Sequence, residues 1–254
     1  MIIRKSPEEL ERMARAGRVV AETLALIGEH ARPGVTTAEL DELAEEFVVG
    51  QGGYPTFKGY RGYPAATCIS PNSMIVHGIP GPYELGEGDI LSVDVGVTLD
   101  GFVADSAYTF AIGEISQEAE RLLEACQAAL AAGIEQCVAG NRLSDISHAI
   151  QLATESAGFS VVRSLVGHGV GRSMHEDPQI PNYGQPGRGP QLAEGMTFAI
   201  EPMITAGGPD VVLHDDEWSI SSADGSLAAH FEHTVAITAD GPRILTAATS
   251  AVRT

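Results

Sequence analysis

Positive charge is scarce in this chain. Of its 254 residues, 15 are Lys or Arg against 34 Asp or Glu, so the formal net charge is −19. The lysines are Lys5 and Lys58. Such acidity repels phosphate backbones and argues against direct nucleic-acid binding. Long apolar runs are missing too. None reaches the length that spans a bilayer, and the start, MIIRKSPEEL, has no apolar signal-peptide core. The expectation is a cytoplasmic protein without a membrane partner. Cysteine is sparse, with 3 residues, too few for a disulfide framework. Cys126 and Cys137 fall in one expected helix, roughly 16 Å apart along its axis, beyond bridging distance. Cys68 reads as a small buried hydrophobe. What remains is ordinary globular composition, 44% hydrophobic and 19% charged, at a length that suits one large domain or two small ones.

What the chain does have is a phrase written twice. LGEGDILSVD at 85–94 and LAEGMTFAIE at 192–201 share Leu, Glu and Gly at an offset of 107. Each copy ends an apolar run on a carboxylate, Asp94 or Glu201. The surroundings repeat as well. Helical periodicity covers 7–30, with Ser6 as cap and Pro7 in the first turn. Thr36 and Glu39 form a capping box for a second helix to about Val49. Strand patterns follow at 66–70 and 90–98, and Asp100-Gly101 turns the chain back into 102–112. Residues 117–138 and 144–156 read as a second helix pair, and ARPGVTTAEL aligns with CVAGNRLSDI at an offset of 106. The spacing predicts one α/β (α+β) domain over 1–254, built from halves at about 7–112 and 113–241. A curved antiparallel sheet backed by helices, with a pseudo-two-fold between the halves, is the expected architecture.

Acids that end apolar strands need a partner, because burying an unpaired carboxylate is costly. A hairpin centred on residues 99–100 sets Asp94 directly across from Asp105 on one face, where two unpaired charges repel. A divalent cation between them reverses the sign. Glu201 and Glu232 end or begin candidate strands at 196–203 and 231–238. Any one acid alone reads as solvent-facing; four in this pattern point to a shared site. VGHGVGRSMHEDP adds His168 and His175 beside flexible glycines. Mixed carboxylate and imidazole donors suit Mn, Fe, Co or Zn. The histidine spacing matches no helical zinc motif, and GHGVGR lacks the ending of a phosphate loop. His30, His148 and His214 read as ordinary surface or helix residues. His230 shares a strand face with Glu232 and is a candidate neighbour of the acids. His77 lies in the turn-rich segment NSMIVHGIPGP.

HGIP at 77–80, the Asp94/Asp105 pair, GHGVG at 167–171, MHEDP at 174–178, EPM at 201–203 and EHT at 232–234 occur in that order. Together they resemble the type I methionine aminopeptidases, from the first helix to about Gly241. The resemblance implies the pita-bread fold and two divalent metal ions per chain. Asp94 would bind one metal, His168 and Glu201 the other, and Asp105 and Glu232 both. Two such metals sharing a water would lower its pKa for attack on the first peptide carbonyl. His175 would stabilise the developing oxyanion, His77 would contact the scissile amide nitrogen, and Glu201 would shuttle the proton. The free amine of the substrate would reach a metal, which limits cutting to the first residue. N-terminal Met peptides and nascent chains are the implied substrates, with a small second residue. The ribosome is a further expected partner, and the chain is expected to be a monomer.

The methionine pocket would include Phe57, Tyr60, Tyr63, Cys68, Met174 and Trp218. Here the chain departs from the family. Phe57 stands where a small residue or cysteine is frequent, Arg61 replaces a frequent histidine, and Leu165 and Met174 replace aromatics. The absence of a long insertion between His175 and Glu201, and of an N-terminal extension, reads as the minimal type I form. Two other readings remain open at this point: an X-Pro peptidase of the same fold, and a non-catalytic binding relative.

Overall fold

Ser6 starts the first helix reciprocally. Its hydroxyl accepts from the Glu9 amide at 3.2 Å, while the Glu9 carboxylate accepts from the Ser6 amide at 2.8 Å. In the computed structural model, which describes residues 1–247, that helix, α1, runs Pro7–His30. Thr36 and Glu39 cap α2 (Thr37–Gly50) in the same way. The second pair is α3 (Gln117–Glu135), capped by Ser116, and α4 (Leu143–Ser156). The third helix stops short of the expected 138, because Gln136 caps it. Cys137 therefore lies beyond its end; all three cysteines are free and buried. No described helix is long and apolar enough to cross a membrane.

The strands pair antiparallel throughout. Ile90–Leu99 and Phe102–Ala111 form a long hairpin. Leu99 pairs with Phe102, so the turn residues are Asp100 (φ 50) and Gly101 (φ 78). Both lie in the left-handed region, as the tight two-residue hairpin turn demands. This corrects the register read from the sequence. With the turn centred one residue later, every pairing shifts by two: Asp105 faces Gly96, and Asp94 faces Ala107. The two acids still share a face, but as diagonal neighbours.

The second-half strands are shorter than their apolar runs suggested. Thr197–Ile200 and Met203–Thr205 are separate strands, broken at Glu201-Pro202. Ala228–His230 and His233–Thr238 are likewise separate, broken at Phe231-Glu232. Thr197–Ile200 pairs with His233–Thr238 in a five-stranded sheet, while Met203–Thr205 pairs with Ala228–His230 in a three-stranded one. Glu201 and Glu232 thus sit where the chain passes from one sheet to another, and neither belongs to a strand. Pro202 has no N–H to give a ladder, which fits a break.

The helices cover the outer faces. Val20, Leu24 and Ile27 of α1 and Leu40 of α2 pack on Val93, Val95 and Val97 of the hairpin. Leu122 and Cys126 of α3 and Ile146 and Ile150 of α4 pack on Phe198, Ile200 and Phe231. Between these two cores runs a hydrogen-bonded seam. The Asp105 amide donates to Thr234 Oγ1 at 2.9 Å, and Thr234 Oγ1 donates back to the Asp105 carbonyl at 2.8 Å. Ser106 Oγ donates to the Glu232 carbonyl, and the Glu232 amide to the Ala107 carbonyl. Thr109 Oγ1 donates to the His230 carbonyl and accepts from its amide. The seam fixes Asp105 and Glu232 relative to each other through backbone.

Candidate metal centre

The hairpin, the two sheet-switch points and the strand Val166–Gly169 bring the predicted side chains to one place. His168 pairs with Ala199, next to the break that carries Glu201. Its Nε2 lies 3.5 Å from Glu201 Oε1 and 3.8 Å from Asp105 Oδ2. Nδ1 donates to the Gly169 carbonyl at 2.9 Å. That bond sets the tautomer and leaves the Nε2 lone pair facing the acids. Donor atoms from Asp105, His168 and Glu232, all buried, lie within 4.8 Å of one another. The seam holds Asp105 and Glu232 from one side, and Asn182 Nδ2 donates to the Glu201 carbonyl from the other at 2.9 Å.

Asp105 and Glu232 are buried and Asp94 and Glu201 half-buried, without enough partners. Asp105 is 2% exposed and Glu232 1%. Asp94 Oδ1, Asp105 Oδ1, Glu232 Oε1 and His230 Nε2 are buried with no hydrogen-bond partner. Burial pushes Asp94 up to about 7, with a hydrogen bond to Asp105 acting the other way. It raises Asp105, Glu201 and Glu232 well above the usual carboxylate range, and the neighbouring carboxylates add to the rise. Buried like charges with orphaned oxygens are unstable alone. A neutral imidazole and anionic carboxylates with free lone pairs fit a divalent cation, and the mixed N/O set fits the first-row transition series.

The other histidines take distinct places. His230 Nε2 stands 3.9 Å from Glu201 Oε2 and 3.8 Å from Glu232 Oε2; it neighbours the acids across the break at Phe231-Glu232 and not along the shared strand face expected from the sequence. Burial lowers its pKa to about 3. The His175 ring lies 4.1 Å from that of His168 and stacks on Tyr60, whose hydroxyl is 2.9 Å from His175 Nδ1. Burial among these groups, then the charges of His168, Arg61 and His77, lower its pKa. His77 adopts φ 58, a left-handed conformation uncommon for a residue with a side chain, and burial lowers its pKa.

Beside the acids lies an apolar cluster. Phe57, Tyr63, Cys68 and Met174 are buried in it, with Tyr60, Ile79 and Trp218 at its edge. Tyr63 meets Trp218 edge-on at 5.1 Å and Phe57 at 6.5 Å. A Cβ on Gly96 would stand 3.1 Å from Phe57 Cε1 and 3.4 Å from Met174 Cε, so these two side chains close the cluster against the hairpin. Cys68 pairs with Asp94 across adjacent strands. Leu165 does not join them; it packs with Ile75, Val162 and Met203. Arg61 lies 5.4 Å over the Tyr60 ring. Sequence reasoning missed Ile79, Asn182 and the seam residues Ser106 and Thr234. A serine and a threonine flanking predicted ligands were the available signal.

The sequence model of metallopeptidase family M24 matches residues 11–239. The chain belongs to this family. It is similar to the methionine aminopeptidase of Clostridium perfringens, 53% identical over 246 residues that cover 97% of this chain and 99% of the relative. Identity to methionine aminopeptidase 1 of Bacillus subtilis is 50%, with the same coverage. Among solved structures, the methionine aminopeptidase of Rickettsia prowazekii superposes with a TM-score of 0.96 at 40% identity, over 97% of this chain and 100% of that one. The prolidase of Pyrococcus furiosus shares the fold, with a TM-score of 0.79 at 21% identity, over 96% of this chain and 65% of its own. This M24 chain has the pita-bread fold expected from its sequence.

Proposed function

We propose that this chain is a metallo-aminopeptidase that removes the N-terminal methionine from peptides and nascent proteins, favouring a small second residue. One observation carries the reading: a set of acids with orphaned buried oxygens beside an apolar cluster rich in aromatic and sulfur side chains. Full-length identity of about half to methionine aminopeptidases supports it.

Two divalent cations, Co, Mn, Fe or Zn, would be held by Asp94, Asp105, His168, Glu201 and Glu232. Bound there, they supply Lewis acidity, which acidifies water and polarises a carbonyl. The chain's residues do the rest. Glu201 takes the proton from the attacking water. His175 stays neutral at working pH, in line with its lowered pKa. With the Tyr60 hydroxyl donating to Nδ1, Nε2–H is free to donate to the developing oxyanion. His77 contacts the scissile amide nitrogen. Phe57, Tyr63, Cys68, Met174 and Trp218 surround the methionine side chain, whose flexible thioether suits an irregular apolar pocket.

The two halves, about 7–112 and 113–241, form one catalytic domain by duplication. The protein works as a cytoplasmic monomer on nascent chains, near the ribosome and without direct contact to nucleic acid or membrane. Peptides varied at their first two residues, assayed after reconstitution with each metal, test the reading. Cleavage of Met-Gly and Met-Ala peptides is expected. Exclusive cleavage of X-Pro bonds would overturn it.

A further inference from the structure

In a chain with two lysines, one is spent in the interior. The Lys5 side chain is 2% exposed, and its Nζ lies 2.5 Å from Oε2 of Glu176, whose side chain is 7% exposed. The other Glu176 oxygen accepts from the Arg172 amide at 2.8 Å and the Ser173 amide at 3.4 Å. Glu176 therefore closes the 172–176 turn, and this turn carries Met174 and His175. Lys5 is itself anchored, because its amide donates to the Gly195 carbonyl at 2.6 Å. A Cβ at position 171 would come within 2.3 Å of Lys5 Cε and 2.6 Å of Nζ, so a side chain there would displace the ammonium from its place beside Glu176. Arg172 adds a contact to Glu9 and lies 4.7 Å over the Phe102 ring.

A buried ion pair is weak evidence for net stability, since desolvation offsets the attraction. Its geometry is what matters here. We infer that Lys5 is a positioning residue: through Glu176 it fixes the turn that holds His175 between His168 and Tyr60. The side-chain hydrogen bonds of Lys5 and Glu176 go to each other, to the Ile3 carbonyl and to the 172–173 amides, not to the acids. The inference rests on the proposed role of His175 in peptide hydrolysis. A displacement of about 1 Å in such a group costs up to ~100-fold in rate.

The test uses Lys5→Met and the double variant Lys5→Met/Glu176→Leu in the full chain loaded with zinc, with Met-Gly-Met as substrate. The single variant leaves Glu176 unpaired and melts lower. The double variant removes both charges and melts near the parent. Both should lose about 10–100-fold in kcat with KM changed less than about threefold, the pattern of an interaction realised only in the transition state. The His175 Cε1–Hε1 resonance should shift or broaden in both. Parental kcat and an unmoved resonance in the double variant would overturn the inference. So would a kcat loss confined to the less stable single variant. If His175→Ala cleaves normally while the resonance still moves in the Lys5 variants, the role of His175 fails and the tether stands.

Discussion

Replacing Asp105 by Asn should separate what stabilises the fold from what equips the site. Asp105 is buried, one of its oxygens lacks a partner, and Glu232 and Asp94 add repulsion to the penalty of burial. Asp94 beside it is raised as well, to about 7, with burial as the main cause. A folded state with raised carboxyl pKa values holds protons that the unfolded chain has already released. Without bound cation, stability therefore falls as pH rises above about 4 toward and through the raised folded-state values. The substituted side chain carries no charge, and its amide group can donate to Asp94 or Glu232. In chelator at pH 8, Asp105→Asn should stabilise the fold by about 1–3 kcal/mol, at about 2–4 °C in Tm per kcal/mol for a chain of this size. Near pH 4.5 the gain should shrink to under about 1 kcal/mol. Added Mn²⁺ or Co²⁺ should invert the order, because the parent gains RT ln(1 + [L]/Kd) and the variant has lost a ligand. Peptidase activity should drop at least ~100-fold, beyond the effect of losing a group that only supports a ligand. Circular dichroism melts at both pH values, with and without chelator, measure the stability terms, and a peptide assay measures the last. A variant less stable than the parent at pH 8 in chelator would refute the reasoning, as would an equal gain at both pH values.

Other perturbations probe separate parts. His175→Ala should lower kcat by about 100–1,000-fold, the cost of one oxyanion donor, with KM little changed in steady-state assays; an unchanged kcat would remove it from the chemistry. Phe57→Ala should cost about 3–5 kcal/mol of stability and lower the preference for Met over Phe at the first position, read by competition between two peptides. Thr36→Ala removes the α2 cap and should cost about 1 kcal/mol in urea melts without altering peptide selectivity.

The parts of this molecule that could be read from sequence are those whose determinants are local. Ser6 with Glu9 and Thr36 with Glu39 are complete signals within four residues, and both form capping boxes in the structure. The duplicated phrase and the acids ending apolar runs marked the residues that converge. The hairpin register turned on whether Leu99 or Gly101 joins Asp100 in the two-residue turn, and it is Gly101 that does. The breaks at Glu201 and Glu232 were hidden inside continuous apolar runs, because a chain that changes sheets stays buried on both sides of the switch. The Lys5–Glu176 pair spans 171 positions, and neither residue's surroundings announce the other.

The seam has a consequence in time. Its hydrogen bonds join residues 121 to 129 positions apart, and contacts so distant in sequence are slow to form. During synthesis the edge from Asp105 to Thr109 must wait for residues 230–234 to leave the ribosome. The Thr234 amide in turn donates to Thr246 Oγ1 at 3.1 Å. The acids are therefore gathered only when nearly the whole chain has been made. A chain interrupted midway carries Asp94 and Asp105 alone, so the site cannot assemble before residues 230–234 are made.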